Sequence, residues 1–239
     1  MTNRAFLLGG APIVVTIDGP AGAGKTTASR MLAKRLGYRY LDTGALYRAV
    51  AVSVSDAGCT RDDLPCIQRV IASLEIDCRV SETGVVDVLV GGKTITDRLR
   101  SPEIAMLASR LSALPMVREA LLGIQRKIGE NGGVVCEGRD MGTVVFPDAR
   151  AKFYLDASPK IRAKRRYLEL AASAAADAQV DLDEIEAQIR QRDEADMSRA
   201  IAPLRIPKDA FVIDSSLLSL DEVVQCMEDR IRSLGGKSG

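Results

Sequence analysis

Short apolar runs and helix-period stretches take turns along most of this chain. The runs at 13–18, 38–42, 133–137, 151–156 and 210–214 are mostly apolar and end in glycine or polar residues, which predicts buried strands. Stretches at 27–36, 45–54, 160–171 and 219–233 space apolar residues three and four apart, and a charged stretch covers 181–199; these predict helices. Ser158 and Pro159 supply a cap and a first-turn proline for the helix at 160–171. Strand then helix, repeated, predicts an α/β fold with five parallel strands, each followed by a helix.

The rhythm breaks between about residues 61 and 129. A helix at 62–73 leads into runs at 75–80, 85–90 and 93–96, joined by the turn-like 81–84 and by Gly91 and Gly92. Strands that short and that tightly linked form an antiparallel meander, which does not fit between units of a parallel sheet. The segment therefore reads as a small α+β subdomain inserted after the second unit, closed by helices at 101–113 and 115–129, the latter opening on a proline. The sheet core then covers about 11–60, 130–172 and 205–235, with one domain overall. Residues 173–179, alanine-rich, read as a connector or a frayed helix end.

Composition narrows the chemistry. Lys and Arg number 33 against 32 Asp and Glu, so there is no basic coat for a nucleic-acid polymer and any anion site must be built locally. Four Phe, five Tyr and no Trp also leave little for base stacking. The chain has no histidine, which removes serine-type triads and most transition-metal centres. Five scattered cysteines without a C-x-x-C pair point to reduced thiols and a cytoplasmic protein. Residues 1–10 carry one charge and a short apolar patch, too little for a signal peptide or a membrane span, and read as a lead-in to the first strand.

The clearest chemistry lies between the first strand and the first helix, in Gly19-Pro20-Ala21-Gly22-Ala23-Gly24-Lys25-Thr26. This is the G-x-x-x-x-G-K-[ST] phosphate loop in its strand-to-helix setting. Its glycines let backbone N–H groups turn toward phosphate oxygens, Lys25 reaches the β and γ phosphates, and the Thr26 hydroxyl is placed to hold Mg²⁺. Gly19, Gly22, Ala23, Gly24, Lys25, Thr26 and Thr27 are the candidate polyphosphate residues.

Three further groups sit where strands end and loops begin. Asp42, Thr43, Tyr47 and Arg48 lie at the start of a helix whose N-terminus faces the same edge, an arrangement suited to a second phosphate and equally to a plain helix cap with a solvated arginine. Glu137, Arg139 and Asp140 crowd a glycine-flanked turn, an unusual density of charge for a structural loop. Arg192, Asp196 and Arg199 share one helical face, as an ordinary surface ion pair also would. Arg162, Lys164, Arg165 and Arg166 crowd a helix start against its dipole, which suggests an anion opposite them or a solvated basic face. Phosphoryl transfer suits a chain without histidine, because it needs positioning and charge neutralisation more than a covalent catalyst.

The segments 17–25, 41–48, 137–147 and 199–204 together resemble the bacterial cytidylate kinase family, and the similarity extends from about residue 12 to about residue 228. The resemblance implies transfer of a phosphoryl group from ATP to CMP or dCMP with Mg²⁺. It implies a P-loop kinase core, an insert that binds the nucleoside monophosphate, a helical lid at about 173–204, and a monomer with no membrane partner. Tyr47, Arg48, Arg139 and Arg199 would hold the CMP phosphate, Arg192 and Asp196 would meet the sugar, and Ser109, Arg118 and Asp140 would read the base. Arg165 would face the ATP phosphates, and Lys25, Arg139, Arg192 and Arg199 form the expected catalytic set. The family often has serine at Thr43 and aspartate at Glu137; both functional groups are kept here. A shikimate-type kinase and a GTP-binding switch are the competing readings. The meander with Ser109 and Arg118 counts against the first, and the missing N-K-x-D guanine motif against the second.

Overall fold

The strand β1 (Val14–Asp18) is the spine of the molecule, and the P-loop that leaves it runs directly into α1 (Lys25–Leu36). The computed structural model describes residues 11–60, 62–95, 98–172 and 181–235. The chain continues through β2 (Arg39–Asp42), α2 (Thr43–Asp56), α3 (Leu64–Ala72), β3 (Ile76–Val80), β4 (Val86–Val90) and β5 (Lys93–Thr94). Next come α4 (Pro102–Leu111), α5 (Pro115–Gly129), β6 (Val134–Gly138), β7 (Ala151–Asp156), α6 (Pro159–Ala172), α7 (Leu182–Ser198), β8 (Phe211–Asp214) and α8 (Leu220–Gly235). No described helix is long and apolar enough to cross a membrane.

Five strands form one parallel sheet in the order β2-β6-β1-β7-β8. The chain leaves β1 for β2 on one side, and β7 and β8 lie on the other, so the topological switch falls at the carboxyl end of β1. That is the position where open α/β sheets leave a crevice for ligands. Val15 and Ile17 of β1 are fully buried with Leu32 of α1, Phe153 of β7 and Val224 and Met227 of α8, which seals one face of the sheet.

The insert is a three-stranded sheet, β3-β4-β5, antiparallel throughout, with α3, α4 and α5 around it. It has a hydrophobic core of its own, in which Leu46, Val50 and Val54 of α2 meet Ile67, Val88, Leu111, Val117 and Leu121. Thus α2 is the wall common to core and insert, and a single parallel bridge, Tyr40 to Val85, ties the meander to β2.

Two expectations need correction. The β6 strand is not followed by a regular helix; a single π-type turn, Met141–Val145, takes its place, because the chain must bend back beneath the site within a few residues. Nor are all the thiols reduced: Cys59 and Cys66 form a disulfide, while Cys78, Cys136 and Cys226 are free. The end of α2 and the first turn of α3 bring the pair within 5.8 Å between Cα atoms, a proximity that a search for C-x-x-C does not reveal. The connector at 173–179 and the lead-in at 1–10 fall outside the described residues.

The Phe153 ring is fully buried in mid-sheet and meets Phe211 edge to face, with ring centres 6.4 Å apart. Phe153→Ala removes about 3–5 kcal/mol of stability, read by urea or thermal unfolding. A loss below about 1 kcal/mol would contradict this packing.

Candidate active site

The P-loop conformation is dictated by its glycines and by what grips the loop from outside. Gly19 has φ +147°, and a Cβ there would stand 2.0 Å from the Leu155 carbonyl oxygen, so no side chain fits. Gly24, at φ 90°, is the N-cap of α1, which therefore starts at Lys25, two residues earlier than its apolar spacing predicts. The Ala21 carbonyl accepts from Arg162 Nη1 at 3.1 Å, and the Ala23 carbonyl from Ser215 Oγ at 3.0 Å. In planar trans peptides this turns the N–H groups of Gly22 and Gly24 the opposite way, away from those partners. A cradle of amides at a helix N-terminus is an anion site.

Lys25 is buried, and its ammonium donates to the Pro20 carbonyl at 2.6 Å. Burial, then the like charge of Arg139, with Arg192 adding to it, pushes the ammonium down to about 7 despite the carboxylates of Glu137 and Asp18. Thr26 and Thr27 are exposed on the first turn of α1. The Glu137 carboxylate is buried, accepts from the Tyr40 hydroxyl and from Thr26, and is held above the usual carboxylate range by burial and by Asp42. The Thr26 hydroxyl and the Glu137 carboxylate are hard oxygen donors, which fits Mg²⁺. Among the described residues no cluster of three or more acidic, Cys or His side chains could hold a metal alone, so phosphate oxygens and water would complete its shell.

Across the cleft, arginines from several segments converge, most of them paired with a carboxylate. Asp42 caps α2 through the Ala45 N–H and accepts from Arg48 at 2.6 Å. The Thr43 hydroxyl donates to the Glu137 carbonyl at 2.6 Å, joining β2 to β6 at the edge of the site. Arg118 of α5 pairs with Asp140, donates to the Ser112 carbonyl at 3.1 Å, and lies over the Tyr47 ring at 5.7 Å. Burial holds the Asp140 carboxyl above its ordinary range even with Arg118, Arg199 and Arg139 beside it.

Arg139 donates from Nε to Asp196 at 2.8 Å. Arg199 donates to the Asp196 carbonyl at 3.3 Å and to Ser112 Oγ at 3.1 Å, while its buried Nη2 makes no hydrogen bond. Burial opposes the charged form of Asp196, yet Arg139, Arg199 and Arg192 together hold its carboxyl below the usual range. Arg192 is exposed on α7 and makes no hydrogen bond or ion pair among the described residues; the desolvation it does undergo, then Arg139, pushes its guanidinium down.

Most residues expected from sequence therefore meet at one edge of the sheet. Ser109 is half-buried, and its carbonyl accepts from the hydroxyl of Ser112, the serine that meets Arg199, at 2.7 Å. Arg165 lies beside the P-loop, its Nη1 3.8 Å from where a Cβ on Gly24 would stand, and donates to the Ser215 carbonyl at 2.6 Å and to its hydroxyl at 3.1 Å. Three residues not picked out from sequence, Asp18, Asp193 and Ser215, help build the site, and Arg162 does more than its basic helix start suggested. Arg162 is buried and makes a two-point contact with Asp193 of α7, at 3.0 and 2.6 Å, while also gripping the P-loop; Ser215, just after β8, grips the P-loop at Ala23. Asp18, fully buried, accepts from the N–H groups of Met141 and Gly142 at 2.8 and 2.7 Å, and burial pushes its carboxyl up to about 7. The local signal for Arg162 was its place in a basic helix start that opposes the dipole; Asp18 and Ser215 gave none.

A P-loop at the switch point of a parallel sheet, faced by arginines paired with carboxylates, is the architecture of a P-loop phosphotransferase. Comparison with known proteins makes this specific. The model of the cytidylate kinase family matches residues 15–233. Curated cytidylate kinases from Syntrophotalea carbinolica and Geobacter sulfurreducens are each 47% identical to this chain. The first aligns over 90% of both chains; the second covers 92% of this chain and 93% of its own. The fold is shared with the crystal structure of an uncharacterized protein from Eubacterium ventriosum, at a TM-score of 0.50 and 12% identity, over 92% of this chain and 99% of that one. The chain belongs to the cytidylate kinase family.

A bound polyphosphate adds negative charge beside Lys25 and returns its pKa toward the ordinary lysine value of about 10.4. Because burial and Arg139 hold Lys25 at about 7, nucleotide binding at about pH 8 takes up a proton. Calorimetry in buffers of different ionisation enthalpy reads that uptake. Lys25→Gln, which cannot titrate, removes it, and an uptake of zero in the unaltered protein would contradict the assigned protonation.

Proposed function

We propose that the protein transfers the γ-phosphoryl group of ATP to CMP or dCMP, giving ADP and CDP or dCDP, as a cytoplasmic monomer. The observation that carries this reading is geometric: the P-loop with Lys25 leaves the carboxyl end of β1, and the turn that carries Arg139 leaves β6 beside it, with Asp18 opposite Gly138 in the parallel register. After burial, Arg139 and Arg192 also oppose the charge of Lys25, as cations gathered for two neighbouring phosphates would. All of these cations come from one chain, which supports action as a monomer.

In this reading the P-loop amides and Lys25 hold the ATP phosphates, and Arg165 approaches them from α6. Bound with Thr26 and Glu137 nearby, Mg²⁺ would neutralise charge on the β and γ oxygens. Arg48, Arg139, Arg199 and Tyr47 receive the CMP phosphate, with Arg192 and Asp196 toward the sugar. The acceptor phosphate displaces carboxylates that pair with these arginines, Asp42 with Arg48 and Asp196 with Arg139 and Arg199, so each guanidinium exchanges one anion for another. The acceptor oxygen is already deprotonated near neutral pH, and no strong general base is needed. Lys25, Arg139, Arg192 and Arg199 then face the charge that spreads over the transferring group.

Cytosine offers an exocyclic amine donor and the N3 and O2 acceptors. Asp140 and Ser109 suit the amine as acceptors, and Arg118 donates to the ring. The Arg118–Asp140 pair, buried beside Tyr47, supports that assignment. Uracil reverses the pattern at positions 3 and 4 and would leave buried groups unpaired.

The test is ADP formation with Mg-ATP against CMP, dCMP, UMP, AMP, GMP and shikimate. CMP and dCMP should exceed UMP in kcat/KM by at least about a hundredfold. Comparable rates with UMP or with shikimate would overturn the base assignment. Arg139→Ala and Arg192→Ala should each lower kcat by about a hundredfold or more while the protein stays folded. Near-normal turnover in either variant would remove that arginine from the site.

A further inference from the structure

We propose that Asp18 is a positioning residue for the phosphate acceptor: its carboxylate pins the turn after β6 and so fixes Arg139 and Asp140 opposite the P-loop. The backbone supplies one end of the clamp, since Gly138, the last residue of β6, stands beside Asp18 in the parallel register of β1 and β6. The carboxylate supplies the other end. One oxygen accepts from the Met141 N–H at 2.8 Å and the other from the Gly142 N–H at 2.7 Å. Only Arg139 and Asp140 lie between the two anchors. Their side chains are the ones that meet Asp196 and Arg118, so the pinned span is the part of the turn that faces the acceptor.

Arg126 of α5 holds the far end of the turn through the Val145 and Val144 carbonyls, at 3.2 and 3.1 Å, and the surroundings leave the carboxylate as the group that holds its start. Gly142 packs so closely that a Cβ would stand 2.8 Å from Pro207 Cγ and 3.1 Å from Thr16 Oγ1. Yet the Thr16 hydroxyl, two residues before Asp18 and on the same face of β1, makes no hydrogen bond. The π turn begins its own bonds one residue earlier, with the Val144 and Val145 N–H groups donating to the Asp140 carbonyl at 2.9 and 3.2 Å. The amides of Met141 and Gly142 therefore have Asp18 as their partner. Because Asp18 is also the last residue before Gly19, one side chain links the donor loop to the acceptor turn.

This inference rests on the CMP-acceptor reading, and its test separates the two. Asp18→Asn keeps the shape but offers one oxygen acceptor to two N–H groups, with its own NH₂ facing the other. The expected result is a rise of about tenfold or more in KM for CMP, with the affinity for ATP alone changing less than about threefold. The Met141 and Gly142 amides also lose hydrogen-exchange protection. A KM for CMP that is unchanged in folded Asp18→Asn protein, whatever its Tm, would overturn the proposal, and so would equal losses for both nucleotides. If the variant does not accumulate folded, the unaltered protein still decides: both amides should exchange as slowly as those of β1, and exchange at the rate of open loops contradicts the clamp. Failure of the CMP reading shows differently, as absence of CMP-dependent turnover in the unaltered protein with the two amides still protected.

Discussion

Positive charge gathered at the carboxyl edge of a buried sheet is the constraint the rest of the structure answers to. A lysine and a ring of guanidinium groups close together, partly withdrawn from water, repel one another and lose hydration. The protein offsets this with carboxylates: Asp42 against Arg48, Asp140 against Arg118, Asp196 against Arg139 and Asp193 against Arg162. Arg199 Nη2 stands 3.7 Å from Asp196 without a hydrogen bond, Arg192 has no carboxylate partner among the described residues, and Lys25 donates to a backbone carbonyl. The site is thus mostly self-neutralised by its own carboxylates, with positive charge to spare for an anion.

The fold supplies rigid supports for that charge. The P-loop is gripped from both neighbouring elements, by Arg162 at Ala21 and by Ser215 at Ala23. Arg162 also reaches Asp193 on α7, next to Arg192, so the P-loop and α7 share one buried side chain. On the other side, α2 contributes its apolar face to the insert core while its N-terminus presents Asp42 and Arg48. Each cation is therefore carried by an element whose far side is packed, which limits how far it can drift before a ligand binds.

Much of this architecture was legible along the chain because its causes are local. Strand and helix periods, the P-loop glycines, the proline that opens α5 and the turns of the meander are determined within a few residues. The same holds for the clusters at 42–48 and 137–140, whose charge density is visible without a structure. What was not legible depends on contacts distant in sequence. Nothing near Asp18 shows that its carboxylate meets amides more than a hundred residues away, or that Ser215 closes on Ala23. The Cys59–Cys66 bond needed the angle between α2 and α3, and the π turn needed the close packing of Gly142 against Pro207. Ser112, rather than Ser109, is the serine whose hydroxyl meets an arginine, Arg199, three residues from where the family pattern directs attention.

The most direct test of phosphoryl transfer between two bound nucleotides follows the transferred atoms. ATP carrying an isotopic label in its γ-phosphoryl group is incubated with the full chain, Mg²⁺ and CMP, and the products are resolved by phosphorus NMR. The account predicts the label in the β-phosphoryl group of CDP, with one ADP formed for each CDP. Label released as inorganic phosphate with CMP unchanged, or ATP turnover indifferent to CMP, would contradict it.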